Sequence, residues 1–219
     1  WTPTTRMHLL ATKPGVVFDG SEAVDLGQTP GDIVVLSAAD TELAALSAAR
    51  ERQSGNQPTL RLANFLQLRH HLSVDVYVDA VVSHARLVVV RLLGGAGYWP
   101  YGIERIAETC RNRDIAFAAL PGDDHPDPQL EQFSTLGADD RHRLWQYLVH
   151  GGSANADNFL NFASSLLGNP TSWTEPAPLL TAGLFWPGIE DPDLDVVRSG
   201  WQAGAPVAAV TFYRALMQS

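Results

Sequence analysis

Residues 88–106 read VVVRLLGGAGYWPYGIERI. An apolar run of strand character enters a glycine turn, and a helical pattern leaves it. Ile103, Ile106, Ala107 and Cys110 repeat on one face of the segment that follows, which is the spacing of a helix with a buried side. Pro100 suits the first turn of that helix, where its missing N–H costs nothing. This strand–turn–helix unit recurs on both sides. Ile33–Leu36 is a short apolar strand before a segment carrying Leu43 and Leu46 toward the core, with Ser37 and Asp40 as caps and Glu42 in the first turn. Ser73 is positioned to cap a helix over Val74–Ala85, in which Val74, Tyr77, Val78, Val81, Val82 and Ala85 keep helical spacing. Leu87–Leu92 and Ile115–Leu120 read as buried strands, the second closed by Pro121-Gly122. Leu62, Phe65 and Leu66, at i, i+3 and i+4, predict a short helix.

Apolar strands alternating with helices call for a parallel sheet covered on both faces. The expected fold is α/β, a flavodoxin-like or Rossmann-like sandwich, followed by a helical hairpin and a long irregular connection. The hairpin consists of residues 139–150, with Leu144, Tyr147 and Leu148, and a second helix capped by Ser153. That second helix carries Phe159, Phe162, Ala163, Leu166 and Leu167 and stops at Gly168. The expected divisions are an extension at 1–6, an α/β head at 7–128, the hairpin at 129–168, a Pro/Gly-rich connection at 169–206 and the first strand of a following domain at 207–219. Met7–Thr12 and Val16–Phe18 read as a strand and turn around Pro14-Gly15, and Val207–Phe212 as a final strand.

The bulk numbers bound the function. The chain has 219 residues, 45% apolar and 18% charged, the composition of a globular domain. Its net charge of -9 argues against a nucleic-acid partner, which would need concentrated positive charge. Cys110 is the single cysteine, so neither an internal disulfide nor a CxxC metal motif can form. No window approaches the ~20 apolar residues that span a bilayer; the expected location is cytoplasmic. Lys13 is the one lysine and precedes Pro14, so no Walker A loop is present and ATP chemistry would have to come from a partner.

Two stretches are candidate sites. Gly94, Gly95 and Gly97 lie at a strand's carboxyl end, where ligands gather in open α/β sheets. A dinucleotide fingerprint needs a further glycine, but Pro100 follows Gly97-Tyr98-Trp99, so a sharp corner is the better reading than a phosphate cradle. Tyr98, Trp99 and Tyr101 put three amphipathic rings on that corner, for contact with a ligand or another domain. In PGDDHPDP, residues 121–128, Asp123, Asp124, His125 and Asp127 could ligate a divalent metal, although three prolines favour a stiff, solvated turn. His70-His71, His84, His142 and His150 share no metal-ligand spacing, and neither GxSxG nor HExxH occurs. Asp40 and Glu42 are possible acid/base groups, but cap and dipole roles account for them.

The strings MHLLAT, DIVVLSAADTEL, LRLANFLQLRH, SVDVYVD, VVVRLLGGAGYWPYGIERI, LPGDDHPDPQL, RLWQYLVHGG, NADNFL and VTFYRALMQS occur in this order. They resemble the amino-terminal region of the cobaltochelatase large subunit family (CobN), related to the porphyrin-binding H subunit of magnesium chelatase. The resemblance implies one part of a much longer subunit. That subunit binds hydrogenobyrinic acid a,c-diamide, and cobalt is inserted during cobalamin biosynthesis with ATP hydrolysed on AAA+ partner subunits. The reaction is of ligase type. The resemblance carries no catalytic residue onto this chain. It implies no cofactor within residues 1–219, and a segment that is inactive alone. Two other classes remain open: a free-standing nucleotide- or flavin-binding module, and a purely structural interaction domain.

Overall fold

In the computed structural model, residues 22–178 are described, together with 184, 189, 193–201 and 204. The strands expected at Met7–Thr12 and Val207–Phe212 lie outside the described residues. The elements, in order, are β1 (Ile33–Ser37), α1 (Asp40–Arg52), β2 (Leu60–Asn64), α2 (His71–Ala80), β3 (Leu87–Leu92) and α3 (Pro100–Asn112). There follow β4 (Ala116–Pro121), α4 (Pro128–Glu131), α5 (Ala138–His150), α6 (Ser153–Leu166) and α7 (Leu194–Ser199).

The four strands form a parallel sheet in the order β2-β1-β3-β4, which matches the first four positions of a flavodoxin-like doubly wound fold. Side chains alternate between its faces. Val34, Leu36, Val88, Val90, Leu92, Phe117 and Ala119 pack against α2 and α3. Ile33, Val35, Leu87, Val89, Ala118 and Leu120 pack against α1, α5 and α6, meeting Leu144, Tyr147, Phe159 and Phe162. The α/β sandwich expected from the strand–helix alternation is therefore present, and the α5–α6 hairpin forms one of its layers. The chain between them turns at Gly151 and Gly152, both at positive φ, where glycine carries no Cβ penalty.

Local readings differ from the structure in four places. Residues 60–64 are a strand, not part of a helix. Leu60 and Leu62 point to one face, and the parallel ladder to β1 outweighs the i, i+3, i+4 coincidence; only Phe65–Leu68 coil, as a 3-10 turn. Ser73 is not the cap of α2. His70 Nδ1 accepts the N–H of Leu72, and the helix ends at Ala80 before a 3-10 turn at Val82–His84. Ser73 Oγ instead accepts the N–H of Val24 and ties the incoming chain to α2. Neither Ser37 nor Asp40 caps α1, and Ser153 does not cap α6. Ser37 is the last residue of β1, with its hydroxyl accepting the N–H of Ala39, and Asp40 accepts from the Asn64 side chain. The connection after 168 is not wholly irregular, because Asp193 caps the short helix α7.

The first part of that connection is pinned down. Thr171 donates to the carbonyl of Asn161, Asn158 accepts the N–H of Thr174, and Asn155 both donates to and accepts from the backbone of Ala177. Arg143 grips Glu175 with two hydrogen bonds of 2.8 and 3.0 Å. Segment 171–178 is thus an extended strap across the hairpin.

Candidate functional site at the carboxyl ends of the strands

The strands end together at Ser37, Asn64, Leu92 and Pro121, and both stretches singled out from the sequence lie at this end. Gly94 and Gly95 take φ of +89° and +72°. A single 3-10 turn, Ala96–Tyr98, then leads to Pro100 at the start of α3. The β4 exit lies close against the corner. A Cβ on Gly122 would sit 2.5 Å from the backbone of Leu93, and one on Gly95 would sit 2.8 Å from Asp127 Oδ2. Gly97 has open space around it. Glycines 94, 95 and 122 therefore let two strand exits and an acidic turn close into one rim.

The three rings of the corner have three different fates. Trp99 is buried: it stacks on Phe65 at 5.0 Å and donates its indole N–H to the carbonyl of Leu68 at 3.0 Å. Gly102 makes that seat, since a Cβ there would come within 2.0 Å of the indole. Trp99, grouped with its neighbours as a contact residue, is in fact core. Tyr101 stacks on His71 at 4.0 Å and donates its hydroxyl to Asp75; the carboxylate accepting that bond holds the phenol pKa above its ordinary value. Tyr98 remains exposed at 53%, its ring meeting the edge of Phe65.

The acidic turn is occupied with its own backbone. Asp127 Oδ1 accepts the N–H groups of Gln129 and Leu130 and caps α4. Asp123 Oδ1 accepts the N–H of His125, and His125 pairs with Asp124 at 2.9 Å. Among the described residues no group of three or more His, Cys, Asp or Glu is placed to hold a metal ion. His142 and His150 border a hollow between α5 and the strap, lined also by Asp139, Arg143, Gln146, Glu175 and Pro176.

One feature of the site went unread in the sequence. Arg91 interrupts the otherwise apolar β3 and points to the α1–α5–α6 face. There it forms a buried ion pair with Glu42 and donates to the carbonyls of Pro121, Gly122 and Leu148. One arginine thus ties α1, β3, the β4 exit and α5 together beneath the rim. Glu42 is therefore not a solvated dipole partner. Burial raises its carboxyl above the usual range, against the lowering pull of Arg91, and its Oε1 is buried without a hydrogen-bond partner. The signal was present: a charge inside a buried strand demands a buried partner.

Strand order, covering helices and a glycine-lined rim define a doubly wound α/β domain. No family model matches the chain. It is 46% identical, over 97% of its length, to the aerobic cobaltochelatase subunit CobN of a Sinorhizobium species, and 42% identical over 97% to the subunit of that name from Pseudomonas aeruginosa. It spans 17% of the length of each. An uncharacterized protein of Methanocaldococcus jannaschii is 28% identical over 139 residues. Among solved structures, the catalytic subunit of cobaltochelatase from Mycobacterium tuberculosis superposes with a TM-score of 0.55 at 25% identity, covering 71% of this chain and 12% of that one. The chain therefore matches a small part of cobaltochelatase subunits named CobN, the family that the sequence resemblance implied.

Proposed function

We propose that this chain is the amino-terminal α/β head of the large, tetrapyrrole-binding subunit of an ATP-dependent cobaltochelatase. That enzyme inserts cobalt into hydrogenobyrinic acid a,c-diamide for cobalamin synthesis in the cytoplasm. The observation that carries the reading is the 46% identity to a CobN subunit along 97% of the chain. Insertion needs the metal stripped of water and the inner pyrrole protons removed by a base. It therefore calls for an enclosed pocket with convergent imidazole or carboxylate groups. The acidic groups of the rim are engaged otherwise: Glu42 is locked on Arg91, and Asp127 caps α4 beside Gly95. In this reading the insertion centre belongs to the rest of the subunit. ATP is hydrolysed on AAA+ partners, and the head contributes a rigid rim from which Tyr98 projects toward components outside this chain.

The test is reconstitution of the full-length subunit with its ATPase partners, with and without residues 22–178. Cobalt insertion into the corrin should fall at least tenfold without the head. Full-rate insertion by the headless subunit would contradict the proposal. Tight binding of FMN or a nucleotide by the intact chain, seen by absorbance titration, would instead favour a free-standing binding module.

A further inference from the structure

Both faces of the sheet are covered by the domain's own helices, yet its carboxyl-end rim keeps large apolar groups in solvent. Leu93 is 60% exposed, Tyr98 53% and Leu72 53%. Leu93 and Tyr98 flank the glycine corner, and Leu72 lies in the first turn of α2. Leu93 leads into Gly94, and a Cβ there would touch the Tyr98 ring at 3.7 Å. Leu72 follows His71, whose ring stacks on Tyr101 in the first turn of α3. An exposed aliphatic and an exposed aromatic group on either side of one rigid corner suit a contact surface. The β4 side of this rim is acidic: Asp123, Asp124 and Asp127 stand in the turn that closes on Gly95, with His125 already paired to Asp124. The cation nearest in sequence to the patch, Arg91, lies beneath the rim in its buried ion pair with Glu42.

We infer that the rim of Leu93, Tyr98 and the Asp123–Asp127 turn docks a basic, apolar-tipped segment from the remainder of the same large subunit. This rests on the reading above that the chain is one part of such a subunit. The occupant follows from two facts. This chain spans 17% of the length of the CobN relative it matches, so on the reading above a covering surface within the same polypeptide is at hand. The charge of the rim selects its sign, since an acidic edge beside an apolar centre is complemented by Arg or Lys around an apolar side chain. Tyr98 is the anchor of the contact, and the acidic turn fixes its register.

The experiment places a photo-crosslinker at the anchor, as Tyr98→p-benzoylphenylalanine in the full-length subunit, and reads the crosslinked peptide by mass spectrometry. The expected product joins residue 98 to a peptide of the same polypeptide, outside residues 1–219 and rich in Arg or Lys. Charge reversal by Asp124→Lys should cut its yield at least threefold. A crosslink to a second copy, to another subunit or to a peptide without basic residues would overturn the inference, and so would no crosslink. Cobalt insertion by the same preparation, with its partner ATPases, is measured alongside. An active subunit without the crosslink overturns this inference alone. An inactive one that gives the crosslink supports it and counts against the chelatase reading.

Discussion

Trp99 and Tyr98 are adjacent residues with opposite energetics. The indole of Trp99 is enclosed by Phe65 and Gly102, with its N–H satisfied by Leu68. Trp99→Ala should lower stability by ~3 kcal/mol or more, through lost burial and the cavity left behind. Tyr98→Ala should change the stability of the isolated chain by less than about 0.5 kcal/mol, as expected for an exposed position. Urea denaturation of the two variants checks both; equal losses would mean the corner is misassigned. The sequence signalled that the three rings could not share one fate, but not which was buried. That depended on Gly102, two residues into the helix, whose missing Cβ makes room for the indole.

Glu42 and Arg91 act at the scale of elements, because one guanidinium joins α1, β3, the β4 exit and α5. Arg91→Ala should cost about 3–5 kcal/mol, since it strands a buried carboxylate and leaves three carbonyls without a donor. Combining Arg91→Met with Glu42→Leu should recover much of that loss, and a double-mutant cycle would measure the coupling. Absence of coupling would mean the pair does not organise these elements. The pH dependence has a definite sign. Glu42's carboxyl is raised in the folded state, so the folded protein holds this proton more tightly than the unfolded chain. The stability linked to it is fully present below the unfolded carboxylate pKa and is lost as pH rises through the folded value. Thermal melts from pH 4 to 8 should therefore show the native protein losing stability with rising pH relative to Glu42→Gln. Parallel profiles would refute the raised carboxyl. Among the elements, β3, β4 and the hairpin were legible because their apolar patterns are long and unambiguous. Strand β2 was not, because a five-residue edge strand takes its identity from pairing with β1 rather than from its own periodicity. Caps were misread for a similar reason: Ser37, Asp40 and Ser73 spend their side chains on tertiary partners or the local turn.

At the scale of the whole molecule, strand–helix alternation gave the layered α/β arrangement, and the resemblance to CobN gave the relatives later found along nearly the full chain. The meeting of the glycine corner and the acidic turn was beyond the sequence. They lie about thirty residues apart, and only the parallel pairing of β3 with β4 brings their ends together. The result is a rim whose glycines allow close approach and whose charges hold turns and helices in place. We propose that the domain positions and contacts, with metal insertion carried out elsewhere in the subunit. The most direct measurement is cobalt insertion into hydrogenobyrinic acid a,c-diamide, followed by corrin absorbance with ATP present. It compares these 219 residues alone with the full subunit and its ATPase partners. The account predicts turnover for the complete assembly and none above background for the chain alone; steady insertion by the chain without companions would contradict it.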